Sequence, residues 1–173
     1  MLASTKTVDL FEVIANKENR VKRQQEWLKS HSLPLISFSI NMPGPEKNNA
    51  LTDVIFRQGM HAIRNTCASY GWTIVNRQIH RANTGAEAIM VVETDDVNAL
   101  KIAMMRIEHT HAMGRLMDID VLAVSGEIIS RDNQGFGKRQ CYICDDEAVV
   151  CARSQRHDLP TLLQKIEEIV NNA

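Results

Sequence analysis

Two aspartates separated by one residue, Asp118 and Asp120, lie in the apolar run DIDVLAV. Successive side chains of a β-strand point to opposite faces, so a strand here places both carboxylates on one face. Two such carboxylates suit a hard cation such as Mg²⁺, which in turn binds phosphate oxygens. Asp is disfavoured in strands, so a pair within an apolar strand indicates a function. The alternative is a pair of solvent-facing strand residues, because Asp-x-Asp is a common tripeptide.

Cationic side chains flank the acidic pair on both sides. If Ser125 and Gly126 form a two-residue hairpin turn, Asp120 lies directly opposite Arg131 on the same face. Upstream, Arg115 offers a second guanidinium, whose planar fork suits phosphate oxygens. The combination predicts phosphoryl chemistry, in which carboxylates hold Mg²⁺ and arginines bind phosphate. The simpler alternative is an ordinary ion pair between Arg131 and Asp120.

Three other residues are further candidates for this site. Gly114 lacks a side chain and would let the backbone approach a ligand closely. His111 is a candidate general base or substrate-orienting group, although the helix dipole alone favours a histidine near a helix end. Lys47 follows a loop rich in Pro and Gly that could carry it to a phosphate, but most such lysines are simply solvated.

Three cysteines and one histidine form the pattern Cys-x2-Cys-x6-Cys-x5-His, namely Cys141, Cys144, Cys151 and His157. Three thiolates and one imidazole complete the closed tetrahedron of a structural zinc site. We therefore expect Zn²⁺ to stabilise a segment that has little core of its own. The alternative is a set of buried or redox-active thiols. Cys67 lies on the apolar side of a predicted helix and is expected in the core.

The spacing of apolar residues predicts the elements that position these groups. An amphipathic helix is predicted from Asp9 to about Ser30. A second begins at Thr52 or Asp53 and ends at Gly71. The other predicted elements are strands over 36–40, 72–79, 87–93 and 118–124, a helix from 95 or 96 to about 109, and a closing helix over 158–172.

From residue 35 this order is β-α-β-β-α-β, followed by an added hairpin strand over EIISR. It predicts an α+β fold of the split β-α-β type, an antiparallel-rich sheet with helices on one face, plus a C-terminal Cys/His-containing helical segment. A chain of 173 residues is short for two domains. We expect a single domain over 1–173, with a Cys/His-rich subregion at about 139–173.

The composition excludes several classes of function. A net charge of -1 and a pI near 6.6 provide no general attraction for nucleic acid, and there is no long basic run. The start of the chain lacks a signal pattern, and its apolar runs are far too short to span a membrane. We expect a cytoplasmic protein with no membrane partner, in a compartment where thiols stay reduced.

The chain also resembles a known family, the citrate lyase holo-acyl-carrier-protein synthases, also called apo-citrate lyase phosphoribosyl-dephospho-CoA transferases. The resemblance extends from about Val21 to the C-terminus. It rests on HAMGRLMDIDVL with GEIISR, on PLISFSINMPGPEK and on RQCYICDDEAVVCARSQRH. The family is similar to the synthase that serves malonate decarboxylase, and its Gly-containing stretch ending in Asp-x-Asp resembles nucleotidyltransferases. Here Gly-Arg stands only a few residues before the pair, whereas polymerase-like enzymes carry Gly-Ser well ahead of it.

The resemblance implies the transfer of a prosthetic group from 2′-(5″-triphosphoribosyl)-3′-dephospho-CoA to a serine of the acyl carrier subunit of citrate lyase. It implies a phosphodiester product and release of pyrophosphate. Asp118 and Asp120 would hold Mg²⁺, and Arg115 and Arg131 would bind the triphosphate. The zinc prediction does not come from the resemblance and rests on spacing alone.

Two alternatives remain open at this point. One is a zinc-stapled binding module with no chemistry of its own, which would tolerate loss of both aspartates. The other is the same reaction on the malonate decarboxylase carrier, against which the segments around Gly114 and Cys141 argue.

Overall fold

The computed structural model describes residues 6–173, except for the side chain of Asn133. Its four strands form one antiparallel sheet in the order β2-β3-β1-β4. The strands are β1 (Leu35–Ile40), β2 (Thr73–Ala82), β3 (Gly85–Glu93) and β4 (Met117–Leu122), and the helices are α1 (Leu10–His31), α2 (Ala50–Ser69), α3 (Val97–Thr110), α4 (Ala148–Ser154) and α5 (Leu159–Asn171). The elements from β1 to β4 follow the order β-α-β-β-α-β, which confirms the α+β prediction.

Helices α2 and α3 pack on one face of the sheet and form the main core with it. A capping box between Asn49 and Thr52 begins α2, and this pairing satisfies two otherwise unbonded backbone donors. Gly59 in α2 leaves room for the ring of Phe38 on β1, because a Cβ there would lie 2.2 Å from the ring. The core therefore fixes β1 tightly against α2.

Helix α1 lies on the opposite face of the sheet, a placement that the sequence did not predict. Leu28 of α1 packs there in a second, smaller core. Asp9 and Glu12 form a capping box at its start. The buried residues of α1 are Gln24 and Leu28, so most of its length meets the sheet through polar side chains.

The segment after β4 is a tight turn with a single isolated bridge between Leu122 and Ile128, in place of the predicted hairpin strand. The amide of Gly126 donates to the carbonyl of Ala123 at 2.8 Å. The predicted register, which pairs Leu122 with residue 129, is wrong by one residue. The turn occupies one residue more than a two-residue hairpin loop allows, and this shift moves the following side chains relative to β4.

The C-terminal segment contains α4 and α5. Asp158 caps α5 by accepting a hydrogen bond from the Thr161 amide at 2.9 Å, and Ile166 of α5 joins the main core. Helix α4 buries one residue, Cys151. Within residues 6–173, no helix is long and apolar enough to cross a membrane.

Candidate active site and metal centre

The two aspartates lie on the same face of β4, as strand alternation predicts. Asp120 pairs with Ser37 and Asp118 with Ser39 of β1, and Ser39 pairs on its other side with Glu87 of β3. Side chains of directly paired residues share a face. We call this set the acidic face: three carboxylates and two serine hydroxyls on the side of the sheet that α1 covers.

Helix α1 supplies cationic and polar partners to one carboxylate of the acidic face. Glu87 is only 5% exposed. It accepts hydrogen bonds from Asn16 at 2.6 Å, from Nε of Arg20 at 2.9 Å and from Arg23 at 2.7 Å. Its charge is therefore well compensated, whereas Asp118 has an arginine partner at the longer distance of 3.4 Å.

Asp120 and Asp118 form an incompletely neutralised pair. Burial, and then the charge of Asp118, raise the pKa of Asp120, and the cations Lys101, Arg139 and Arg20 offset part of this effect. A bound cation would relieve the repulsion between the two carboxylates. The donors present are carboxylate and hydroxyl oxygens, the hard ligands that Mg²⁺ takes. The donor chemistry of the pair is therefore that of a site for a hard cation.

A buried carboxylate on α3, Glu108, organises cations at the outer edge of β4. It is 5% exposed, contacts Arg139 and pairs with Arg131 at 3.0 Å. Burial raises the pKa of Glu108 to about 7, although the two guanidinium groups counteract the effect. Arg139 also reaches Asp118, so it connects this cluster to the acidic face.

Two openings adjoin these groups. One, of about 160 Å³, lies between Glu108 and the side chains of Arg115, Arg131 and Arg139. Its cationic lining suits an anionic group such as a phosphate. The other is a cleft of about 540 Å³ between α1 and the turn after β4. Gln24 lies in its wall and donates to Ser37 of the acidic face at 2.9 Å.

The two arginines predicted to bind phosphate have other partners in the structure. Arg131 pairs with Glu108, so the predicted cross-strand neighbour relation with Asp120 is wrong, because the turn after β4 shifts the register. Arg115 donates to the carbonyls of Gln140 at 3.0 Å and Cys141 at 2.6 Å. Both arginines nevertheless line the smaller opening.

Gly114 and His111 lie in the short connection between α3 and β4. A Cβ at Gly114 would lie 2.4 Å from the carbonyl oxygens of Ile107 and Glu108, so close packing against the end of α3 explains this glycine without a ligand. His111 caps α3, and its Nδ1 accepts from the amide of Met113 at 3.0 Å. Burial lowers the pKa of His111, which favours the neutral ring with its proton on Nε2.

Lys47 lies in the loop after β1, and its ammonium donates to the carbonyl of Met42. Burial, and then the charge of Lys17 on α1, lower the pKa of Lys47. The loop reaches the start of α1, where the Val8 amide donates to Pro45 at 2.9 Å.

The Cys/His pattern folds into a compact cluster. The ligand atoms of Cys141, Cys144, Cys151 and His157 all lie within 4.8 Å of one another. The sulfurs of Cys144 and Cys151 are 3.3 Å apart, and Nε2 of His157 is 3.4 Å from Cys144. Burial opposes ionisation of Cys141, but hydrogen bonds from the amides of residues 144 and 143 outweigh it, so its pKa is lowered. Three thiols and one imidazole at these distances can hold a metal ion such as zinc.

Several residues of the site were not predicted from sequence: Arg20, Arg23, Glu87, Glu108 and Arg139. Glu87 carried the same signal as the acidic pair, a carboxylate inside the apolar strand segment GAEAIMVVE. Glu108 and Arg139 are 31 residues apart, and neither stands out from its local sequence. Only tertiary packing brings them together.

Comparison with known proteins places the chain among relatives that match nearly its whole length. The family model described as apo-citrate lyase phosphoribosyl-dephospho-CoA transferase matches residues 8–173. A probable apo-citrate lyase phosphoribosyl-dephospho-CoA transferase of Vibrio cholerae serotype O1 (strain M66-2) is 46% identical over 166 residues, 96% of this chain and 93% of the relative. The apo-citrate lyase phosphoribosyl-dephospho-CoA transferases of Shigella boydii serotype 18 and Escherichia coli O157:H7 are each 38% identical over 171 residues, 99% of this chain and 93% of each relative. The chain therefore belongs to the apo-citrate lyase phosphoribosyl-dephospho-CoA transferase family.

Proposed function

We propose that this protein transfers the phosphoribosyl-dephospho-CoA group from 2′-(5″-triphosphoribosyl)-3′-dephospho-CoA to a serine of the apo acyl carrier subunit of citrate lyase. The serine oxygen forms a bond to the innermost phosphorus of the triphosphate, and the bond from that phosphorus to pyrophosphate breaks. The serine proton is released. The observation that carries the proposal is the acidic pair on one face of β4, with Arg139 bridging it to a cationic opening.

The acidic pair and the arginines beside it have separate roles in this reaction. Asp118 and Asp120 would hold Mg²⁺, which supplies neutralisation of phosphate charge when bound. Arg139, beside Asp118 at 3.4 Å, and Arg131 in the cationic opening bind the oxygens of the triphosphate. Since transferred phosphoryl groups need little covalent help, positioning and charge stabilisation account for most of the catalysis.

Gly114, Arg115, His111 and Lys47 have supporting roles in the proposal. The Nδ1 atom of His111 already accepts a backbone hydrogen bond, so its Nε2–H is suited to orient the substrate by donating to it. Lys47, in the loop that meets the start of α1, would contact an anionic group of the CoA derivative. Arg115 and Gly114 fix the start of β4, through the contacts to residues 140, 141 and the end of α3.

The Cys/His cluster is proposed to hold one structural Zn²⁺. All four ligand positions of a tetrahedral ion would be filled by the protein, which leaves no position for a substrate. Its contribution to the reaction is therefore indirect. We also propose that the protein acts in the cytoplasm, where these thiols stay reduced.

The proposal is tested by incubating the protein with the CoA derivative, Mg²⁺ and apo acyl carrier subunit, then weighing the carrier by mass spectrometry. We expect a mass increase equal to the prosthetic group on one serine, together with released pyrophosphate. A carrier whose serine is replaced by alanine is the control and should stay unmodified. No mass increase with the citrate lyase carrier would refute the proposal, and modification of only the malonate decarboxylase carrier would assign the acceptor differently.

A further inference from the structure

The segment that carries the metal cluster has almost no apolar core. Among the described side chains of residues 130–165, the buried ones are Cys141 and Cys151, and both belong to the cluster. Val149 and Val150 of α4 are about half exposed. Apart from Tyr142, which packs against the main core, burial of apolar surface contributes little to the conformation of this segment, and a bound ion would be a main organising contact.

Two arginines connect this segment to β4 and its surroundings. Arg139 precedes Cys141 by two residues, and its guanidinium contacts both Glu108 and Asp118. Its own carbonyl accepts from the Ala148 amide, at the start of α4, at 2.9 Å. Residues 139–148, on which the position of the Arg139 guanidinium depends, thus form a closed loop that contains two of the four cluster residues, Cys141 and Cys144.

The second connection starts from the beginning of β4. Arg115, immediately before β4, donates to the carbonyls of Gln140 and Cys141. The amide of Cys141 donates to Asp146 at 2.8 Å, which closes the turn between the first two cysteines. Without a bound ion this turn would be less restrained. The hydrogen bonds from Arg115 and the side chain of Arg139 would then be held less firmly in place.

We propose that zinc bound by the Cys/His cluster positions Arg139 beside Asp118, so that metal occupancy controls the affinity for the triphosphate of the donor substrate. The inference rests on the proposed function for the identity of that substrate. The cysteines and His157 are positioning residues, since the cluster is closed to substrate. Arg139 is the group that meets the phosphates.

The test compares zinc-loaded protein with protein stripped by a chelator under reducing conditions and with stripped protein given back Zn²⁺. Metal content is measured by mass spectrometry, and binding of the CoA derivative is measured by calorimetry with Mg²⁺ present and the carrier absent. We expect one zinc per chain. Removal should weaken binding of the donor by about tenfold, the loss of one charge-assisted contact, and restored zinc should recover it.

A second measurement follows the backbone hydrogen bonds within residues 139–148. Hydrogen exchange of the amides of Cys141 and Ala148 should accelerate on zinc removal, because both are bonded within residues 139–148. Amides of β1 and β3, in the centre of the sheet, should keep their protection. With the carrier present, KM for the donor should rise more than kcat falls, as expected when ground-state and transition-state binding are lost together.

Variants separate positioning from folding. Cys144→Ala should lose zinc and bind donor weakly, whereas Cys144→His offers a replacement ligand and should recover both. Cys67→Ala is the control, because this cysteine lies in the main core away from the cluster, and it should retain zinc and donor affinity. Far-ultraviolet circular dichroism verifies that each protein keeps its fold.

Three results would overturn the inference: protein without zinc even after reconstitution, stripped protein that binds the donor as tightly as the loaded form, or a zinc-containing Cys144→His variant whose affinity stays as low as that of Cys144→Ala. The last comparison decides the matter even if stripped protein loses its fold. Failure of the proposed function looks different, because zinc-dependent donor binding would then be seen without any transfer to the carrier.

Discussion

Replacement of either aspartate by asparagine removes one negative charge from the acidic face and keeps the shape of the side chain. At a separation of about 5 Å and an effective dielectric constant of about 20, one unit charge interacts with a neighbouring unit charge by ~3 kcal/mol. Such a loss in the transition state lowers the rate by roughly two orders of magnitude. We therefore expect Asp118→Asn and Asp120→Asn each to transfer the prosthetic group at least about 100-fold more slowly, with Mg²⁺ and donor saturating.

The stability of these variants gives an independent check. The pKa of Asp120 is raised by burial and by Asp118, so its ionised form is disfavoured in the folded protein, and Asp120→Asn should not lower the melting temperature. The assay is the mass of the carrier followed over time. Asp95→Asn, at an exposed position before α3, is the matched control and should retain full activity. A loss of only a few-fold in both folded variants would remove the pair from the mechanism.

Three further predictions concern stability, measured by urea unfolding. Burial raises the pKa of Glu108 from its ordinary value of 4.5 to about 7, so its contribution to stability is complete below pH 4.5 and is lost as pH rises through 7. The Glu108→Gln variant should lack this pH dependence. A variant whose stability depends on pH as that of the original protein does would contradict the prediction. Glu87→Ala leaves two partly buried arginines unpaired and should cost about 2–4 kcal/mol, and a cost under about 1 kcal/mol would show that α1 is held otherwise. Gly59→Ala places a Cβ against Phe38 and should cost about 1–3 kcal/mol, whereas Gly137→Ala, with open space around it, is its control.

The sequence predicted the sheet well because its strands alternate or run apolar between clear turn residues. Asp118 and Asp120 were assigned to one face from that alternation alone, and β4 places them there. The position of Arg131 was wrong for a specific reason: the register after β4 depends on the length of one turn, and one extra residue exchanges the side-chain faces. A local pattern does not determine that length.

The remaining differences have the same origin in long-range packing. Helix α1 was correctly predicted to be an amphipathic surface helix, but its sequence does not indicate which face of the sheet it covers. Because α1 covers this particular face, Arg20 and Arg23 contact Glu87. A glycine is needed at position 114 because a Cβ there would collide with the last turn of α3. The sequence alone indicates only that a glycine lets the backbone approach another group closely.

The attachment of α1 explains how a split β-α-β fold acquires a covered acidic face. Its second half is anchored by Leu28 in the smaller core, whereas its first half exposes Leu10 and Phe11 and is held to the sheet by the cluster of hydrogen bonds and ion pairs to Glu87. A phosphate that approaches the acidic face competes with Glu87 for Arg20 and Arg23, since both anions suit a guanidinium fork. Because Glu87 is buried, loss of both arginine partners would leave its negative charge unpaired, which is costly. The arginines of α1 are therefore best suited to hold the helix over the site. Glu108, the partner of Arg131 and Arg139, is equally buried, but burial raises its pKa to about 7, so this carboxyl can take up a proton when a phosphate draws its arginines away. Both arginines also line the opening at the outer edge of β4, and they are the ones best placed to bind substrate.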